Sequence, residues 1–144
     1  MQKRYHFLRI TAMVHATEDE SKVLRSMEIL IGGGLPVEIE RREAEGIFHN
    51  PITYMVLELT GQKQIFSIVE KWESEEFWQL SKEHLEERMD EDLVYHVRVD
   101  KQKACLGELE LWSKGEAIEI QLKPATYPSS REKAKAIIFK GPPR

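Results

Sequence analysis

The sequence predicts an α+β fold, a two-layer sandwich in which helices pack on a mostly antiparallel sheet. Three observations predict it. Segments alternating at period two recur along the chain, helical stripes fall between groups of them, and the links between neighbouring strands are hairpin-length. With 41% hydrophobic and 32% charged residues in 144, the chain can bury a core beneath a charged surface. The expectation is one domain over residues 1–140, followed by a frayed tail at 141–144.

The first strand is marked by Leu8, Ile10, Ala12 and Val14, which alternate with Phe7, Arg9, Thr11 and Met13. Thr17 and Glu20 form a capping-box pattern that predicts the start of a helix, with Val23, Met27, Leu30 and Ile31 as its buried stripe. Gly32, Gly33 and Gly34 end it, and Pro36 forbids continuation. Val37, Ile39 and Arg41 begin a second strand, with Glu38, Glu40 and Arg42 on its other face. Glu45-Gly46 turns into a third strand over residues 52–59. A long helical region is expected over residues 62–89, with Ile65, Phe66, Val69 and Trp72 on one face. Ser74 is its candidate internal cap, before Phe77, Trp78, Leu80 and Leu85.

Leu93, Tyr95, Val97 and Val99 mark a half-buried strand. Leu109 with Leu111, then Ile118, Ile120 and Leu122, suggest two more, joined as a hairpin around Lys114-Gly115. Ser129 and Glu132 form a second capping box, opening a last helix that turns Ala134, Ile137 and Ile138 inward. The order is β-α-β-β-α-β-β-β-α.

Composition also narrows function. Cys105, the one cysteine, can neither form a disulfide within the chain nor build a multi-cysteine metal site; it reads as a small packed hydrophobe. The longest stretch free of strongly polar side chains, residues 29–37, holds three glycines and a proline, so no membrane-spanning helix is expected. The N-terminal residues lack the apolar run of a secretion signal, and a cytoplasmic protein is the expectation. The triple glycine follows a helix instead of leading into one and so reads as a cap, not a phosphate loop. His6, His15, His49, His84 and His96 show no metal-ligand spacing, and no cofactor is expected. No nucleophile, base and oxyanion set is apparent, so an enzyme is not expected.

Charge is the informative feature. The net charge is −4, yet residues 70–92 carry −7 and residues 123–144 carry +5. Arg98, Lys101, Gln102 and Lys103 surround Asp100, which could cap one helical turn and present the three residues after it. Lys123 precedes the last helix, which carries Arg131, Lys133, Lys135 and Lys140. If the sheet brings these two segments together, they form one basic patch for RNA phosphates. Aromatics are not interleaved with these cations apart from Tyr127, which favours structured RNA over single-strand stacking. An alternative is a protein-interaction module that docks through an outward face of Trp72, Phe77 and Trp78.

Three segments carry a resemblance. VHATEDESKV at 14–23, RVDKQKACLGELEL at 98–111 and ATYPSSREKA at 125–134 resemble the small archaeal RNA-binding proteins predicted to be exosome subunits. That family is similar in fold to large-subunit ribosomal protein five. The resemblance implies structured-RNA binding, RNA as partner, and association with RNA-processing or ribosome-related assemblies. Lys101, Gln102, Arg131 and Lys133 fall on its motif positions. Its middle motif usually ends on an aromatic, where this sequence has Cys105.

Overall fold

The computed structural model describes residues 3–33, 38–46 and 51–143. The order is β1 (Tyr5–Val14), α1 (Glu20–Ile31), β2 (Glu40–Glu45), β3 (Pro51–Leu59), α2 (Gln62–Glu73), α3 (Glu76–Lys82), α4 (Leu85–Arg88), β4 (Tyr95–Asp100), α5 (Lys101–Cys105), β5 (Ala117–Pro124) and α6 (Arg131–Lys140). The five strands form one sheet in the order β2-β3-β1-β5-β4, with every pair antiparallel. The fold is α+β, as the alternation and the helical stripes require.

One face of the sheet makes the core. Leu57, Ile10, Ile120 and Val97 stand opposite one another across four strands, and all are buried. Helices cover that face with Val23, Met27 and Leu30 from α1, Ile65, Val69 and Trp72 from α2, and Ala134 and Ile138 from α6. The other face keeps Arg9, Glu58, Gln121 and Arg98 at or near solvent. All six residues of the edge strand β2 are exposed, and five of them are charged, which discourages pairing with another chain's strand.

Trp72, Trp78 and Tyr95 fill the space beneath the helices. The Trp72 and Trp78 rings lie 5.0 Å apart, and Trp78 meets Tyr95 edge-on at 5.5 Å. Their polar atoms are satisfied: Trp72 Nε1 donates to the Leu30 carbonyl at 2.8 Å, and the Tyr95 hydroxyl lies 2.7 Å from Ser81 Oγ. Burial pushes the Tyr95 phenol up to about 12, against the Ser81 hydrogen bond.

Several local expectations change. Asp19, not Thr17, caps α1, its carboxylate accepting from the Ser21 amide at 3.0 Å; Glu18 instead turns back to accept from the His15 amide. Gly32 ends α1 in the left-handed conformation at φ 94°, as a glycine cap should. Gly34, Pro36, Val37 and residues 47–50 lie outside the described residues. The long helical region breaks into α2, α3 and α4. Ser74 closes α2 through Oγ to the Lys71 carbonyl and does not cap α3, which follows Glu75. The expected hairpin around Lys114-Gly115 does not form. Leu111 bridges Val99 on the outer edge of β4, and the chain then rounds the end of β4 to pair β5 on its inner edge. Ser130, one residue beyond the expected Ser129, caps α6 by accepting from the Lys133 amide. Gly141, expected to fray, is buried, and its carbonyl accepts from Arg4 at 2.5 Å.

The two neighbouring serines give a direct check on where α6 begins. Ser130→Ala should lower stability by about 1 kcal/mol through the lost cap, whereas Ser129→Ala should leave the thermal melt close to that of the wild type.

Candidate nucleic-acid interface

A cation serves a polyanion only if the fold leaves it unneutralised. The segments expected to form one basic patch lie at opposite ends of β4. α5 follows Asp100, which pairs with Ala117, whereas Arg131 reaches the carbonyls of Met89 and Asp90, near the start of that strand. At about 3.3 Å per residue, the six residues of β4 hold them roughly 17 Å apart. The single patch does not exist.

At the first end, Asp100 does cap α5, its carboxylate accepting from the Lys103 amide at 2.9 Å, but the turn does not present Lys101. That side chain is only 4% exposed. Its Nζ donates to the Met13 carbonyl at 2.7 Å and to Glu18 Oε1 at 2.6 Å, and lies 3.3 Å from Glu116. Gln102 bonds Glu116, Lys103 pairs with Glu110, and Arg98 pairs with Glu119 at 3.2 Å while lying over the Trp112 ring. His15 also contacts Glu116. Ligand atoms of His15, Glu18 and Glu116 lie within 4.8 Å of one another, a spacing that suits a metal ion. The Lys101 ammonium, however, already stands between the two carboxylates, where a cation would sit. Sequence spacing hid this trio because its members come from three segments that only folding joins. Burial pushes the Glu116 carboxyl up, but the hydrogen bonds and charge of Lys101, with Gln102 and His15, outweigh it and hold the group below its ordinary value.

At the second end, Arg131 is likewise consumed. Its guanidinium donates to Glu86 Oε1 and to the carbonyls of Glu86, Met89 and Asp90, so it docks α6 onto the end of α4. Lys135 joins the same Glu86 at 2.6 Å. Sequence spacing hid this too, because Glu86 and Arg131 are 45 residues apart.

Lys123, Lys133 and Lys140 remain, and none of the three side chains has a partner among the described residues. Lys133 lines a groove of about 850 Å³ at the end of the sheet, with Lys3, Arg4 and His6 on one wall. Phe66, Ala136 and Ile137 supply apolar lining, Tyr127 stands 97% exposed, and no described lining residue is acidic. Lys123 pairs in register with Phe7, beside the irregularity that turns His6 outward. Partial burial, then the charges of Lys3 and Lys123, hold the His6 imidazole below its ordinary value, the response of a base in positive surroundings. Trp72, Phe77 and Trp78, the alternative docking face, are at most 1% exposed and belong to the core.

A family model described as RNA binding matches residues 8–124. The chain belongs to this RNA-binding family. It is 35% identical over 133 residues to the RNA-binding protein PAB1135 of Pyrococcus abyssi, covering 88% of this chain and 86% of that one. Protein AF2318 from Archaeglobus fulgidus, described as DUF54, superposes with a TM-score of 0.83 at 36% identity, over 94% of this chain and 98% of that one. A DUF54 protein from Methanothermobacter thermautotrophicus gives 0.77 at 35% identity, over 95% and 97%. Among the described residues, no helix is long and apolar enough to cross a membrane.

The Lys101 network has a checkable consequence. Lys101→Met strands two partly buried carboxylates and should cost about 3 kcal/mol, the low end for a broken buried pair because both acids keep some contact with water. Because folding lowers the Glu116 value, this stabilisation is present above the ordinary 4.5 and is lost as pH falls through the depressed value. Denaturant titrations should therefore show the gap between wild type and variant narrowing below pH 4.5.

Proposed function

We propose that this protein binds RNA without catalysing its cleavage, and that the groove between the N-terminal end of β1 and the face of α6 is where the phosphates sit. The observation that carries the reading is charge pairing. Most of the cations singled out from the sequence are neutralised by carboxylates within the fold, whereas Lys3, His6 and Lys133 line one groove with no acid among its described lining residues, and Lys123, also unpaired, lies near enough to His6 for its charge to act there. Unneutralised lysines displace condensed counterions from a nucleic-acid backbone, which supplies affinity without sequence preference. Family membership and a relative named as an RNA-binding protein support the same partner. Attachment to RNA-processing machinery such as the exosome, or to ribosome-related assembly, belongs to this proposal. So does kinship in fold with ribosomal protein five; both rest on the three motif segments.

The test separates free cations from structural ones. Lys123→Glu and Lys133→Glu should each weaken RNA binding to a similar extent across sequences and reduce the salt slope by about 1. The melting temperature should stay close to that of the wild type, because exposed charges contribute little to folding. Arg131→Glu should instead lower the melting temperature, since it removes the bonds that hold α6 to the end of α4. Filter binding at two salt concentrations, with the labelled RNA recovered intact, reads affinity and the absence of cleavage together.

A further inference from the structure

We propose that the groove takes an unpaired stretch of RNA, a loop or an end, with one base stacked on the Tyr127 ring; this rests on the RNA-binding reading above. A phenol ring 97% exposed leaves its faces in water, although burying such a ring is among the more favourable contacts available to a side chain. Its position is fixed from both sides. The Ala125 amide donates to the Arg4 carbonyl at 2.8 Å, and the Ser130 amide to Thr126 Oγ1 at 3.3 Å, so the link carrying Tyr127 is tied to β1 and to the start of α6. Tyr127 and Lys133 line the same groove, with Phe66 and Ile137 as apolar lining. An aromatic face beside unneutralised cations is the arrangement that holds single strands, stacking the base and pairing the phosphate. A fully paired helix would leave the ring unused, because its bases are stacked inside and it offers mainly phosphates and 2′-hydroxyls. The groove, about 850 Å³, is of the size that holds a small ligand and suits a nucleotide or two. The preference for structured RNA expected from sequence then narrows to the unpaired parts of such an RNA.

The experiment uses a short single-stranded RNA carrying a fluorescent purine analogue, and the same strand annealed into a blunt duplex. The wild-type protein should bind the single strand more tightly and change the analogue's emission on binding. Tyr127→Ala should abolish that change and weaken single-strand binding roughly 5- to 150-fold, with duplex binding unaffected. Tyr127→Phe should retain both, since the ring and not the hydroxyl makes the stack. Equal affinity for the two RNAs and no effect of Tyr127→Ala, with Lys133→Glu still weakening both, would overturn the stacking site and leave the phosphate reading standing. If the wild-type protein bound neither RNA, the RNA-binding reading itself would fall, and the stacking site with it.

Discussion

The structure depends on β1 burying one face while pairing on both edges. Leu8, Ile10, Ala12 and Val14 point into the core, and the same strand pairs with β3 on one side and β5 on the other. With the centre of the sheet so placed, the helices have a single apolar surface to cover, and the opposite face is left to charged and polar side chains. The ends of β1 then position what matters elsewhere. Its last residues supply the Met13 carbonyl that holds Lys101, and its first residues supply one wall of the groove. Gln62 secures that first end, its side-chain oxygen accepting from the Arg4 and Tyr5 amides at 2.8 and 2.9 Å while its nitrogen donates to the Tyr5 carbonyl.

Charge is sorted by the same geometry. A lysine inside a fold requires partners that replace its water, and Lys101 finds a carbonyl and two carboxylates. It thereby fastens β1, the β1–α1 link and the entry to β5 at one point. Glu86 does comparable work at the other end of β4 by holding Arg131 and Lys135, which seats α6. These basic residues stabilise the molecule, and their charge is not available to a ligand. At the groove the N-terminal end of β1, the end of β5 and the face of α6 converge with no acid among the described lining residues, so positive charge persists there. Partial burial lowers the His6 value there, and the charges of Lys3 and Lys123 add to it.

The acid-rich region 70–92 fits the same account. Glu73 receives Trp78 Nε1 at 2.7 Å and the Lys82 ammonium, so part of this charge supports packing beneath the helices. The tryptophans it surrounds are buried and fully engaged, which leaves that region with a structural task.

The sequence by itself determined the fold class, most strands and both faces of the first one. Period-two alternation in β1, β4 and β5 and the helical stripe in α1 are local, and solvent sorts such patterns the same way wherever the segment lies. It also determined that RNA was the partner to consider, through the basic C-terminal stretch and the three motif segments. Helix starts were legible only to within a residue or two. Thr17 and Asp19, or Ser129 and Ser130, are chemically competent at neighbouring positions, and the chain's entry angle selects between them. Only the tertiary structure decided which cations are free. Lys101 and Lys133 look alike in sequence, each a lysine beside a helix start. One is enclosed by Glu18 and Glu116, which are 83 and 15 residues away in sequence, and the other faces an open groove. Coulomb attraction acts through space and not along the chain, so the pairing that removes a charge from function is written only in the folded arrangement.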